Sequence, residues 1–241
     1  MHPEKLRMNK QKIVVFTGSG ISAESGLRTF RDSDGLWEEY NVYEVATPEA
    51  WAKNPSLVNE FYNARRRQVR KATPNEAHYG LAKLEEVFDV QIITQNIDDL
   101  HERAGSSNVL HLHGEIIKCR SSVDSSLIYD VDEDEIQIGQ LCAKGSQLRP
   151  HVVWFGEMVP EMDKAMMFAS MADIFVIIGT SLNVYPAAGL ISAVPLNVPK
   201  YLVDPNAHEL RNLFAVKIIP EKAGKGVPKL VEMLMRGVTN V

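Results

Sequence analysis

Short apolar runs that alternate with helix-patterned stretches constrain this chain more than any other feature. Ile13–Phe16, Val90–Thr94, Ile174–Ile178, Tyr201–Val203 and Val216–Ile219 are strand-length and carry apolar residues at successive positions. A strand of that kind is buried on both faces, as in a parallel sheet covered by helices. Between and after these runs, Asn75–Val87, Asp163–Ala172, Ala187 to about Ala193 and Val227–Met235 are helix-patterned. The alternation predicts an α/β fold: a Rossmann-like parallel sheet with helices on both faces.

Two segments break the rhythm. Residues 32–73 make a long excursion that ends in a helix, Ser56–Lys71. Residues 116–149 are polar, with the acidic run "DVDEDE" at Asp130–Glu135. The run reads as a solvated surface. The expected plan is a sheet domain from 1–31, 74–115 and 150–241, with the two insertions forming a small domain.

Composition narrows the partners. The 241 residues are 45% hydrophobic, enough for a large core, and the formal net charge is −5. That balance argues against general nucleic-acid binding, which needs a basic face. No apolar run reaches the roughly 18 residues of a membrane span. The start, "MHPEKLRMNKQK", is polar and unlike a signal peptide. Two cysteines, Cys119 and Cys142, suit a reduced compartment without disulfides. A cytoplasmic monomer that touches neither membrane nor nucleic acid is expected.

The strand ends carry the candidate chemistry. Gly18, Ser19, Gly20, Ile21, Ser22 and Ala23 fit G-x-G-x-x-G/A directly after a strand. Such glycines let backbone approach a pyrophosphate that sits at a helix N-terminus; a tight structural turn is the alternative. The ribose-binding acid expected about 20 residues later should close a second strand, but that region is "GLWEEY". After Ser22 a polar loop replaces the long apolar helix, so a nucleotide would be held differently from the dehydrogenase way.

"TQNID", Thr94 to Asp98, runs out of a core strand, where open α/β sheets bind ligands. Asn96 and Asp98 share a face if the chain stays extended; for Asp98 a helix cap is the alternative. "HLHGE" puts His111 and His113 on one face of a strand: a metal pair, a general base before a glycine turn, or hydrogen-bonded core histidines. Gly179, Thr180 and Ser181 end one strand and could take phosphate oxygens. Asp204, Pro205 and Asn206 end another and could take ribose hydroxyls. Tyr62 and Arg65 lie three apart on a basic helix, "NARRRQVRK". They read either as part of a solvated cationic face or as a buried pair that grips a carboxylate. A closed zinc site wants four ligands, commonly in closely spaced cysteine pairs, and neither Cys119 nor Cys142 has a second cysteine beside it.

Taken together and in order, these motifs resemble the sirtuins, NAD-dependent protein lysine deacylases. "GSGISAESGLRTFRDSDGLW", "TQNID", "HLHGE", "GTS" and "VVWFGE" carry the likeness, which spans about Lys12 to Ala223. "FYNARRR" resembles the bacterial and mitochondrial branch that removes acidic acyl groups. The resemblance implies NAD as a consumed co-substrate. The stretch after the first glycines becomes a cofactor-binding loop: Glu24, Ser25, Gly26, Leu27, Arg28, Thr29, Phe30 and Arg31, continuing through Asp32, Ser33, Asp34, Gly35, Leu36 and Trp37. Phe30 would shield the reactive ribose carbon. Gln95, Asn96, Ile97 and Asp98 would hold the ribose and nicotinamide region, Asn96 and Asp98 as catalytic groups. His113 would be the general base on the ribose hydroxyls. Gly179, Thr180 and Ser181 would contact phosphates or ribose, and Asp204, Pro205, Asn206 and Ala223 the adenosine half. Val153, Trp154, Phe155, Gly156 and Glu157 would bind the substrate backbone as an added strand, with Tyr62 and Arg65 reading the acyl group.

The implied reaction has the acyl oxygen of the substrate lysine attack the ribose carbon as nicotinamide leaves, yielding free lysine and O-acyl-ADP-ribose. Acetyl, succinyl and malonyl groups are all candidates. Sirtuins usually carry four zinc cysteines where this chain keeps Cys119 and Cys142, so the small module is expected to fold without metal. The rival readings are protein mono-ADP-ribosyl transfer in the same pocket and a non-catalytic NAD or ADP-ribose sensor.

Overall fold

The computed structural model describes residues 10–28, 36–37, 40–131, 135–180, 182, 185–209 and 215–239. In chain order the strands are β1 (Lys12–Thr17), β2 (Leu36–Trp37), β3 (Tyr40–Asn41), β4 (Asp89–Thr94), β5 (Val109–His111), β6 (Gly114–Ser121), β7 (Ile128–Asp130), β8 (Leu148–Val152), β9 (Ile174–Ile178), β10 (Lys200–Val203) and β11 (Val216–Ile219). The helices are α1 (Val42–Val45), α2 (Pro48–Lys53), α3 (Pro55–Lys71), α4 (Glu76–Leu84), α5 (Leu100–Arg103), α6 (Met162–Ser170) and α7 (Ala223–Thr239).

Six strands form one parallel sheet in the order β11-β10-β9-β1-β4-β5. The chain builds outward from β1 to one edge, then returns to β9 on the other side. This is the doubly wound order, and its switch point lies between β1 and β9. Ile13 and Val15 of β1 face a core made with Leu81 and Leu84 of α4 and Val227, Leu230 and Leu234 of α7. Val14 and Phe16 face the opposite core, with Ala165 and Ala169 of α6 and Leu190. All four β1 residues are fully buried, which is why the strand reads as an uninterrupted apolar run.

All five expected strands are present. The sequence reading places a strand over "HLHGE", His111 to Glu115, whereas the short edge strand β5 ends at His111 and has only Val109 and Leu110 as apolar residues. It also begins α7 too late, at Val227, and ends it too early, at Met235. Gly224, Gly226 and Pro228 argue against a helix there, yet the helix includes them. Gly224 N–H finds an acceptor in Glu24 Oε2 at 2.7 Å. A Cβ on Gly226 would come 2.4 Å from Val203 Cγ1, so the small residue allows the helix to lie on β10. Ala187–Ala193 is a 3₁₀ segment instead of an α-helix. No described helix is long and apolar enough to cross a membrane.

The segment from Ile116 to Arg149 contributes to a three-stranded antiparallel sheet, β7-β6-β8, with a small apolar cluster of Cys119, Val131 and Ile136. Helix α3 braces it. Asn54 caps α3 by accepting from Leu57 N–H at 3.1 Å, ahead of Pro55. Its arginines do not form a solvated face: Arg66 is fully buried and donates to Ile116 O at 2.7 Å. Arg70 donates to Val131 O, and Arg67 pairs with Glu135 at 2.8 Å. The ends of the acidic run are thus engaged by α3; residues 132–134 lie outside the described residues.

Candidate active site

At the switch point, two glycine turns touch. Gly18 N–H donates to Ile178 O at 3.0 Å and Gly20 N–H to Gly179 O at 2.9 Å. A Cβ on Gly20 would lie 2.6 Å from Gly179 Cα. One on Gly179, at φ +59°, would lie 2.5 Å from Ile21 N. These glycines allow the end of β1 to pack on the end of β9. The turn then continues as two 3₁₀ turns, Ser19–Ile21 and Ala23–Ser25. This corrects the expectation of a pyrophosphate on a helix N-terminus, because no α-helix follows β1 directly. Asn75, the cap of α4, holds the turn by donating to Ile21 O at 2.8 Å and Ser25 Oγ at 2.9 Å.

A cavity of about 640 Å³ opens over these strand ends, within the range of small-molecule sites. Gly18, Ser19, Gly20, Ser22, Ala23, Glu24, Leu27 and Arg28 line it; Ile21 points into the core, and Ser25 and Gly26 are not on the wall. Gln95, Asn96, Ile97, Asp98, His113, Gly179, Thr180, Asp204, Pro205, Asn206 and Ala223 also line it. Thr29, Phe30, Arg31, Asp32, Ser33, Asp34, Gly35 and Ser181 lie outside the described residues, as do the side chains of Leu36 and Trp37.

A buried network organises the centre. Ser22 Oγ donates to Asp98 Oδ2 at 3.0 Å and accepts from Asn96 Nδ2 at 3.1 Å. Asp98 Oδ1 also accepts from Leu100 N–H at 3.2 Å, so the cap and the network use one carboxylate. Burial pushes the Asp98 carboxyl up; the Leu100 and Ser22 bonds oppose that. Gln95 Nε2 donates to Thr180 Oγ1 at 2.9 Å and joins the ends of β4 and β9.

The two histidines do not share a strand face, which corrects the sequence reading. His111 ends β5, and His113 lies in the turn before β6. Gly114 follows the turn at the start of β6: its φ is +79°, and a Cβ there would come 2.1 Å from His151 O. His113 Nδ1 lies 2.9 Å from Gln95 O. A carbonyl only accepts, so Nδ1 carries the proton and Nε2 is left as the basic atom. Burial lowers the His113 pKa, only partly offset by the Gln95 bond. The ring is therefore neutral near pH 7.

The other end of the cavity belongs to α3 and β8. Tyr62 is fully buried and Arg65 is 7% exposed, and both line the wall. Burial raises the Tyr62 hydroxyl pKa and keeps it protonated. Val153, Trp154, Phe155, Gly156 and Glu157 line it too, but in different ways. Phe155 is 41% exposed; Trp154 is 2% exposed, 5.8 Å from Trp51 between ring centroids, with the Arg149 guanidinium 3.2 Å over its ring. Glu157 accepts from Arg149 Nη1 at 2.7 Å and Nη2 at 3.1 Å, from Arg120 Nη2 at 3.1 Å, and from Trp154 N–H at 2.8 Å.

Sequence reasoning missed several wall residues: Ala46, Val69, Val159, Tyr185, Pro186 and Lys222. Lys222 follows the end of β11, so the strand-end rule that picked Asp204 could have found it. The apolar ones carry no local signal.

Among its described residues the small module does not offer a fitting set for a structural zinc. Cys119 packs with Val131 and Ile136, and Cys142 Sγ is engaged by Ser121 Oγ at 3.2 Å and Ser146 Oγ at 3.1 Å. Among the described residues no group of three or more His, Cys, Asp or Glu could hold a metal ion.

Comparison with known proteins agrees with this geometry. Residues 18–186 match the model of the Sir2 family. An NAD-dependent protein deacylase of Bacteroides thetaiotaomicron is 49% identical over 230 residues, 93% of this chain and 98% of its own. One from Helicobacter pylori is 50% identical, over 92% and 99%. A solved Sir2 homolog–NAD complex superposes with a TM-score of 0.83 at 39% identity, covering 95% of this chain and 91% of that one.

Proposed function

This chain belongs to the Sir2 family, and we propose that it removes acyl groups from protein lysines with NAD as the consumed co-substrate. One observation carries the reading. In one cavity, a neutral His113 with its proton fixed on Nδ1 stands with the Ser22–Asn96–Asp98 network. NAD supplies the electrophilic ribose carbon; the protein's part is to hold it, exclude water and move protons. His113 Nε2 is the general base toward a ribose hydroxyl, matched to neutral pH by its lowered pKa. The Ser22–Asn96–Asp98 network orients the ribose and nicotinamide, and Gly18, Gly20 and Gly179 bring backbone close to the phosphates. Asp204, Asn206 and Ala223 take the adenosine half.

The finer reading concerns the acyl group. The same cavity wall carries the apolar side chains of Ala46, Val69 and Trp154. Arg65 and Tyr62 therefore read a terminal carboxylate, and succinyl- and malonyl-lysine join acetyl-lysine as substrates. The free, buried cysteines support a cytoplasmic enzyme, and the charge of −5 supports one that does not bind nucleic acid. It acts as a monomer, which sedimentation checks.

The test is mass-spectrometric deacylation of acetyl-, succinyl- and malonyl-lysine peptides with and without NAD. NAD-dependent loss of acyl mass is expected, with His113→Ala abolishing turnover while NAD binding persists. Wild-type rates from His113→Ala would remove His113 as the base; no NAD-dependent product from any peptide would remove the activity.

A further inference from the structure

His111 is not part of the cavity wall, yet it sits under the catalytic loop. Its Nδ1 lies 3.0 Å from Asn96 O and its Nε2 lies 2.8 Å from Glu102 Oε1 of α5. Both partners are acceptors when Glu102 is ionised. A neutral imidazole has only one N–H, so it would set one bare nitrogen against an acceptor at about hydrogen-bond distance. Only the imidazolium satisfies both contacts. His113, two residues on, is anchored to the neighbouring carbonyl of Gln95 through one nitrogen alone and needs no charge.

We propose that the Glu102–His111 ion pair is a positioning relay that fixes the Asn96 carbonyl, and so keeps the Ser22–Asn96–Asp98 network in register only while His111 is charged. This rests on the deacylase reading for its kinetic part. The ring's surroundings agree. The His111 side chain is 8% exposed and Glu102 is 39% exposed. Burial works to lower the His111 pKa, but the Glu102 bond and charge, the Asn96 carbonyl and Glu115 of β6 outweigh it, and the net shift is upward. The other groups that act on it are Asp98, whose carboxyl burial pushes up with the His111 charge opposing, and His101 of α5, which burial keeps neutral. Lys118 of β6 pairs with Glu115 at 2.9 Å and also acts on Glu102.

The relay makes two histidines of one motif titrate in opposite directions. A raised folded-state pKa contributes stability that is present below the unfolded value and lost as pH rises through the folded one. Above that point His111 keeps one N–H, one contact turns repulsive, and the Asn96 loop loses its anchor. Turnover then has an acid limb from His113, which must be neutral, and an alkaline limb from His111, which must be charged.

Glu102→Gln separates this relay from simple packing. The Gln amide can accept from an imidazolium or donate to a neutral ring, so Asn96 O keeps its donor in either state. The wild-type kcat should fall about tenfold per pH unit above the His111 pKa. In Glu102→Gln the alkaline limb should be flat, and His111→Phe should lower kcat by roughly tenfold or more below the His111 pKa, with little change in peptide KM, the gap to wild type closing above it. Independently of activity, ¹⁵N-histidine NMR of the full chain at pH 7 should show one ring protonated on both nitrogens, absent in His111→Phe. It should also show a neutral Nδ1–H ring, absent in His113→Ala. A neutral His111 at pH 7, or a Glu102→Gln profile that superimposes on wild type, overturns the relay. Absence of deacylation in wild type would instead sink the proposed function and leave the NMR result to judge the ion pair.

Discussion

Glu157→Gln should destabilise the fold more than it harms substrate binding. The carboxylate takes four donors: two from Arg149, one from Arg120 and the N–H of Trp154. Gln keeps one acceptor oxygen, which can serve Trp154 N–H. Its NH₂ then faces guanidinium N–H groups, donor against donor, and two buried arginines lose their counter-charge. Removing one partner of a buried ion pair costs about 3–5 kcal/mol. Glu157 is 21% exposed as a side chain, so the lower end, about 3 kcal/mol, is expected. For a chain of this size that is roughly 6–12 °C in Tm, at about 2–4 °C per kcal/mol. Burial pushes the Glu157 carboxyl up, but the Arg149 and Trp154 bonds and the arginine charges outweigh it and leave the pKa lowered. A depressed carboxylate contributes stability above its unfolded pKa, about 4.3, and loses it as pH falls through the folded value. The gap between wild type and variant should thus be constant at neutral pH and close in acid. Thermal melts from pH 7 to pH 3, with kcat/KM measured well below Tm, make the check. An unchanged Tm with a large rise in peptide KM would refute the reasoning and return Glu157 to the substrate.

Arg65→Met should cut succinyl and malonyl removal by at least about tenfold and spare acetyl removal, since a charge-assisted bond to a carboxylate is worth roughly 1.5–3 kcal/mol. Equal losses in kcat/KM on matched acetyl and succinyl peptides would mean Arg65 serves stability or NAD instead. Purified protein should hold well under one zinc per chain, and EDTA should leave Tm unchanged, because Cys142 is engaged by Ser121 and Ser146. Elemental analysis finding one tightly held zinc would defeat that.

The sheet was legible because its central strands, β1 and β9, are buried on both faces and therefore read as apolar runs, while the edge strand β11 keeps the apolar pattern without the burial. The site's position followed from the same fact: polar groups directly after such runs mark the strand ends where ligands bind. What could not be read locally was direction. "VVWFGE" reads, by resemblance, as a segment that pairs with the substrate backbone, and nothing in it announces that Glu157 is drawn inward by Arg149 and Arg120, which come from β8 and β6. The arginines of α3 read equally well as a solvated face until the carbonyls of Ile116 and Val131 are placed beside them.

The "HLHGE" motif shows the limit most sharply. Alternation predicts that residues two apart share a face, and that rule fails here because β5 ends at His111 and Leu112 and His113 form a turn before β6. The failure separates two chemically identical side chains. His111 stays in the sheet edge between Asn96 O and a carboxylate, where charge is required. His113 turns into the cavity against one carbonyl, where burial favours the neutral base. The turn between them thus sets which imidazole can be charged and which can accept a proton near pH 7. Gly114→Ala would press a Cβ against His151 O beside this turn, so it should disturb both histidines together: kcat should fall, and in the ¹⁵N-histidine spectrum both the doubly protonated ring and the neutral Nδ1–H ring should shift.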